Sequence, residues 1–241
     1  MRVTSLAATI HKWLALVMAV PILFWFASGL FFALAPMEKV RSEHVRAAQP
    51  PVELSVREIA AALQMLPEGE SGKRIEIRSL LGRAVALVEP GAGRPRLYDL
   101  GDGRLLSPIP AALAAEIAEA DHAGDARAAR VIAITEPPVE YRGGPLPAWR
   151  VDFDGEGRSI YVAQDTGAVV SRRSTLWRVY DFLWALHILD FSGHEDYGTP
   201  LLAIATALAL LVLVTGIILF PVRLGLAAWL RRRRRRRAQP G

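Results

Sequence analysis

Five histidines, His11, His44, His122, His187 and His194, are the side chains here with the widest chemical reach. Imidazole is the commonest metal ligand and titrates near neutral pH. The 241 residues contain no cysteine, so disulfides, cysteine–zinc sites, iron–sulfur clusters and thiol catalysis are excluded together. There is no GxSxG, no HExxH, no phosphate-binding glycine loop and no paired-carboxylate motif, which leaves the ordinary hydrolase classes unsupported. Histidine ligation is the chemistry that remains.

His187 lies in the aromatic-rich stretch Thr175 to Phe191. At 100° per residue, Arg178, Asp181 and Ala185 share one side of a helix there, while His187 falls opposite with Leu176, Tyr180 and Leu183. An imidazole on an apolar face costs free energy unless its nitrogens find partners. Three readings are open: a core histidine bonded to a carbonyl, an interfacial ring beside Trp177 and Trp184, or a metal or haem ligand. His11 shares a stripe with Met18, Trp25 and Gly29, and reads either as an interface residue beside Lys12 and Trp13 or as a ligand. His194, in Gly193-His194-Glu195-Asp196, reads as an exposed loop residue able to reach a nearby ligand. His44 and His122 sit in polar surroundings and are expected to be solvated.

The elements that position these residues are two apolar runs. Trp13 to Met37 carries no charge over 25 residues, and Tyr197 to Val222 none over 26. About 20 apolar residues cross a bilayer core, and backbone groups in lipid must bond internally, so both runs are expected to be spanning helices. Ala33-Leu34-Ala35 resembles a signal-peptide cut, but the first run exceeds the usual h-region and Pro36 follows directly. Arg2 and Lys12 flank the first run; Arg223 and the run Arg231 to Arg237 follow the second. Positive charge at those ends puts both termini in the cytoplasm. The arginine run fits anionic headgroups of the bilayer rather than nucleic acid.

Between the runs, Pro50-Pro51 closes a charged stalk. Ser55-Val56-Arg57-Glu58 fits a capping box, with Val56, Ile59, Ala60 and Leu63 on one helical face. Strand patterns follow at Ile75 to Ile77 and Ala84 to Val88, then Leu97-Tyr98 and a turn at Asp99 to Gly103. Ile109, Leu113 and Ile117 mark a second helix, ending near Gly124. Val131 to Ile134, the alternating Trp149, Val151 and Phe153, and Ile160 to Ala163 are further strands, the last two pairing across Gly155-Glu156-Gly157. Tyr98-x3-Asp102-Gly103-x-Leu105-Leu106 parallels Tyr161-x3-Asp165-x-Gly167-x-Val169-Val170. Helix, strands, tyrosine, Asp/Gly turn and apolar pair recur in order, which suggests a duplicated α+β unit.

Ile10-His11-Lys12-Trp13-Leu14 entering an apolar helix that reaches Ser28-Gly29-Leu30, the Tyr161-x3-Asp165-x-Gly167 strand-turn, and Leu186-His187 ahead of the last helix resemble the PepSY-associated transmembrane proteins. The resemblance runs from His11 to Leu224. Two departures stand out: larger relatives have about four spanning helices, and the first repeat carries its glycine one position early, at Gly103. The resemblance implies a membrane protein of the bacterial inner membrane, with two transmembrane helices flanking an extracytoplasmic α+β domain made of two PepSY-like repeats. The divisions are a cytoplasmic N-terminus (1–12), first spanning helix (13–36), stalk (37–52), repeats (53–108 and 109–173), amphipathic interfacial helix (174–192), second spanning helix (198–222) and basic cytoplasmic tail (223–241). Some relatives are implicated in reducing iron taken up with siderophores, which implies haem b and electron transfer, with His11, His187 and His194 as cofactor-binding residues. His11 and His187 would lie at opposite faces, about 30 Å apart, so two haems rather than one. The same resemblance implies an alternative, a periplasmic binding or regulatory module or an accessory subunit. Small residues at Ala203 to Ala207 and Thr215-Gly216 permit a homodimer or a partner in a membrane complex.

Overall fold

The computed structural model describes residues 2–48, 53–155, 157–225 and 229. Pro50-Pro51, Glu156 and the run Arg231 to Arg237 lie outside the described residues. The chain divides into two compact units, Met1–Leu34 with Asp181–Gly241, and Ala35–Tyr180.

The first unit is built on helices α1 (Arg2–Leu34) and, late in the chain, α6 (Pro200–Arg223), which pack along each other. Within α1, Ser5–Leu34 has mean hydropathy 2.2, and α6 has 2.8; 11% and 6% of their most apolar windows are buried. Such exposure rules out core helices of a soluble protein, since Leu16, Leu23, Phe26, Leu213 and Ile217 all face outward. The residues that are covered form a narrow seam of mostly small or polar side chains, with one methionine: Ala7, Met18 and Ser28 on α1, Ala205 and Thr215 on α6. That is how helices associate in lipid, where close approach and hydrogen bonds replace the hydrophobic effect. Thr199 caps α6 by accepting from the Leu202 amide (3.2 Å), with Pro200 in the first turn where its missing N–H costs nothing. Helix α1 starts well before Trp13, so its first turns carry His11 and Lys12 on helical backbone.

The second unit begins with α2 (Met37–Val40) and a 3-10 turn, Glu43–Val45. The expected stalk is part of the domain: Val40 and Ser42 are fully covered, and Ala47 N–H and Val45 C=O bond Asp121 and Ala123. Then come α3 (Val56–Gln64), strands β1 (Arg74–Leu80), β2 (Arg83–Glu89) and β3 (Arg96–Asp99), α4 (Ala111–Asp121), and strands β4 (Ala128–Ile134), β5 (Ala148–Phe153), β6 (Ser159–Ala163) and β7 (Val169–Arg173). The strands form two antiparallel meanders, β1-β2-β3 and β4-β5-β6-β7. In the first, Tyr98 bridges Leu105 just after the turn, where β7 would pair in the second. Pro108 and Pro110 follow closely, and proline donates nothing to a ladder, so that fourth strand stops at one bridge. Leu97, Leu80 and Val85 from the first meander meet Ile117 of α4 and Val151, Ile160 and Val162 of the second in one core.

The capping box is present: Ser55 N–H donates to Glu58 Oε2 (2.7 Å) and Glu58 N–H to Ser55 Oγ (3.3 Å). The apolar face of α3 is covered only in part: Ile59 and Leu63 are half-buried, while Val56 is 84% exposed. Both repeat tyrosines are buried and donate to a glutamate, Tyr98 to Glu70 and Tyr161 to Glu140, each at 2.6 Å. Glu140 also accepts from Arg178 Nε (2.9 Å) and pairs with Arg150 (3.1 Å). Burial pushes the Glu140 carboxyl up, but Tyr161 and the two guanidiniums outweigh it and hold it below the usual range. Tyr141 stacks on Tyr161, centroids 4.8 Å apart, and burial pushes its phenol up to about 12.

Candidate functional site

Helix α5 (Thr175–Ile188) carries His187, and from Asp181 onward it belongs to the unit of the paired helices. The His187 Nδ1 sits 2.8 Å from Ser28 Oγ on α1. Ser28 has one hydroxyl hydrogen, and its shortest contact is to the Phe24 carbonyl (2.6 Å). A serine donating back to its own helix accepts from elsewhere, which assigns the Nδ1 hydrogen to His187. Trp25 Nε1 donates to the His187 carbonyl (2.9 Å), one of the end-of-helix carbonyls that has no partner within α5. Phe32 meets the imidazole edge-on (5.5 Å), and Trp184 lies parallel to it (6.4 Å, 13°). His187 is thus half-buried in an aromatic frame with one nitrogen fixed.

His11 is arranged alike. Its Nδ1 lies 3.1 Å from the Val212 carbonyl and 3.0 Å from Thr215 Oγ1 on α6. A carbonyl has no hydrogen to give, so Nδ1 carries it. Thr215 in turn donates back to Leu211 (2.7 Å). Gly216 makes room, since a Cβ there would stand 3.2 Å from His11 Cε1. An open groove of about 680 Å³ begins at this ring, lined also by Lys12, Trp13, Gly216 and Arg223. For both histidines Nε2 has no partner among the described residues. A ring held through Nδ1 and free at Nε2 is the usual state of a metal-ligating histidine.

The two rings are not brought together. His11 and Ser28 are 17 residues apart on α1, or about 26 Å along the helix, in line with the expected separation. His194, expected to be an exposed loop residue, is half-buried, with Nδ1 2.7 Å from Asp181 Oδ2 and its carbonyl accepting from Trp184 (3.1 Å). The side of α5 expected to be polar is the covered one, because Asp181 and Ala185 are buried and Asp181 is satisfied by His194. The loop after α5 is organised by Asp190, which accepts from the Ser192 hydroxyl (2.6 Å) and the amides of Ser192, Glu195 and Asp196. Those bonds, the Ser192 hydroxyl first, hold its carboxyl far below the ordinary range. His122 is also not solvated: it is buried, edge-on to Phe153 (5.6 Å) and beside the Arg158 guanidinium (3.2 Å). His44 is exposed as expected.

Ser28, Thr215 and Asp181, the partners that orient the three rings, do not stand out as site residues in the sequence. For Ser28 and Thr215 the one sign there is a hydroxyl inside an apolar run, at the depth a histidine could reach; Asp181 has no such sign. Among the described residues no group of three or more histidine, aspartate or glutamate side chains could hold a metal ion. No curated protein and no solved structure matches the chain. The profile of the PepSY-associated TM region matches residues 8–239, nearly the whole chain. With two outward-facing apolar helices and an α+β middle region, the protein is a membrane protein of the PepSY-associated transmembrane family.

Proposed function

We propose that the protein is a haem-carrying electron-transfer component of the bacterial inner membrane that serves iron acquisition, in which His11 and His187, near opposite faces, would hold the haem iron. The observation that supports this reading is the shared state of the two rings, Nδ1 bonded across to a neighbouring helix and Nε2 left without a partner among the described residues. Haem, when bound, supplies the one-electron chemistry. The chain's residues do the rest. Thr215 and the Val212 carbonyl aim His11, and Ser28 aims His187. Phe32 and Trp184 exclude water from the His187 ring. Lys12 and Arg223 place positive charge at the His11 groove, which suits the carboxylates on a haem rim. Second ligands come from His194 or from a second copy of the chain, because His11 and His187 are too far apart to share one iron. In this reading both termini are cytoplasmic, the α+β domain is periplasmic, and its two meanders are PepSY repeats.

The test is an ultraviolet–visible spectrum of the purified protein, oxidised and dithionite-reduced, from cells supplied with haem precursor. A Soret band that shifts on reduction, and that weakens in His11→Ala and His187→Ala separately, supports the reading. A featureless spectrum refutes it. The second reading, a periplasmic binding or regulatory module, is favoured by apolar side chains left exposed on and just after α3, Val56 and Met65. It requires no spectrum and tolerates Gln at both histidines.

A further inference from the structure

A pocket of about 230 Å³ lies inside the α+β unit, away from the histidines, where the first meander, α4 and β7 converge. Three arginines line it from three separate segments: Arg46 beyond the 3-10 turn, Arg78 on β1 and Arg172 on β7. The carboxylate in its lining is Asp121, buried and bound by Arg172 through both oxygens. Arg46 and Arg78 have no carboxylate within ion-pair distance among the described residues; Glu76, the acid nearest in influence to Arg78, bonds Arg74 instead (2.6 Å). Arg78, half-buried, donates to the Thr166 carbonyl, a neutral acceptor.

Three guanidiniums around one pocket, with a single carboxylate among them, leave an excess of positive charge there. An oxyanion answers it, because guanidinium forks match the oxygens of carboxylate and phosphate. A pocket of 230 Å³ has room for one such group with a few waters, at about 30 Å³ each. The Asp121–Arg172 pair keeps the Arg172 fork fixed, and the turn through Gly167 (φ +64°) brings the Thr166 carbonyl to Arg78.

We infer that this pocket binds a small oxyanion, a phosphate or carboxylate group free or carried on a larger ligand, through Arg78 and Arg46. The binding needs no haem and is independent of the electron-transfer reading. The test is isothermal titration of the full chain in phosphatidylcholine nanodiscs, at fixed ionic strength, with inorganic phosphate, acetate and citrate as separate probes. The expected result is saturable binding of at least one probe, weakened about tenfold or more in Arg78→Gln and less in Arg46→Gln. Phosphate without acetate or citrate identifies a phosphate-bearing ligand; the reverse identifies a carboxylate. A variant with Arg231 to Arg237 changed to Gln must bind as well as the parent. The proposal is overturned if no probe saturates, if binding survives both pocket substitutions, or if it disappears with the tail variant. Arg46 is exposed, so Arg46→Gln keeps the test decisive should Arg78→Gln fail to fold.

Discussion

Replacing Glu140 by Gln tests the central polar cluster of the α+β unit with little change of shape. The carboxylate accepts from Tyr161, Arg178 and Arg150, and its side chain is 16% exposed. The arginines are not orphaned by the change: Arg178 keeps Ser159 (2.9 Å) and Arg150 keeps Asp152 (2.7 Å). The loss is therefore the charge-assisted part of three bonds, about 2 kcal/mol, rather than the roughly 3–5 of a fully stranded buried charge. For a unit of this size that lowers Tm by about 4–8 °C. Melting followed by tryptophan fluorescence at pH 7 reads this directly. Because the folded Glu140 carboxyl lies below its ordinary value, its contribution is complete above the unfolded value of about 4.3 and is lost as pH falls through the lower folded one. The gap between parent and Glu140→Gln must then narrow below about pH 4. A double-mutant cycle with Tyr161→Phe should give a coupling of about 1 kcal/mol. A shift under about 1 °C, or a gap that stays constant into acid, refutes the account of this cluster.

If haem is held as proposed, Ser28→Ala, which removes the acceptor that orients His187, should reduce its retention about tenfold or more, with the His11 contribution unchanged; the Soret band measures it, and full retention contradicts the assigned role. Asp190→Asn weakens the acceptor shared by Ser192, Glu195 and Asp196, so amide exchange at those residues should accelerate while the Glu140 cluster stays protected. In the parent the same acceleration should appear only at strongly acid pH, since the lowered carboxyl keeps its bonds until it protonates. The absence of cysteine gives a clean topology assay: Arg130→Cys should react with an impermeant maleimide added to intact cells after outer-membrane permeabilisation, and Leu224→Cys should not. Val56→Asp on α3 should change stability by less than about 0.5 kcal/mol, whereas Ile117→Ala in the core should cost about 2–5 kcal/mol.

Features written in local pattern are legible in the order of the amino acids. The two apolar runs, the capping box at Ser55 and the alternation of Val151 and Phe153 each follow from neighbours a few residues apart. The tyrosine repeat is visible for the same reason, and the fold adds that both tyrosines reach a glutamate. What local pattern does not reveal depends on contacts far apart in the chain. Asp181 reads as a solvent-facing acid on a helical wheel; His194, 13 residues later, bonds it and helps make its burial sustainable. His122 reads as solvated until Arg158 and Phe153 are seen beside it. Ser28 and Thr215 look like tolerated hydroxyls in apolar helices, because a helix takes such a group by bonding it back to its own carbonyls. Their second role needs partners 159 and 204 residues away.

The bonds from His11 to α6 and from His187 to α1 also bear on how the protein is put together. Each joins one helix to another inside or beside lipid, where a side-chain hydrogen bond contributes about 0.6–2 kcal/mol to association. A newly inserted chain whose helices have not yet met has two imidazoles free to spin and to pair with any donor in reach. Correct pairing arrests both rings in one tautomer at once. On the haem proposal, cofactor uptake would come after assembly, and colour in the purified protein would count the molecules that have finished folding.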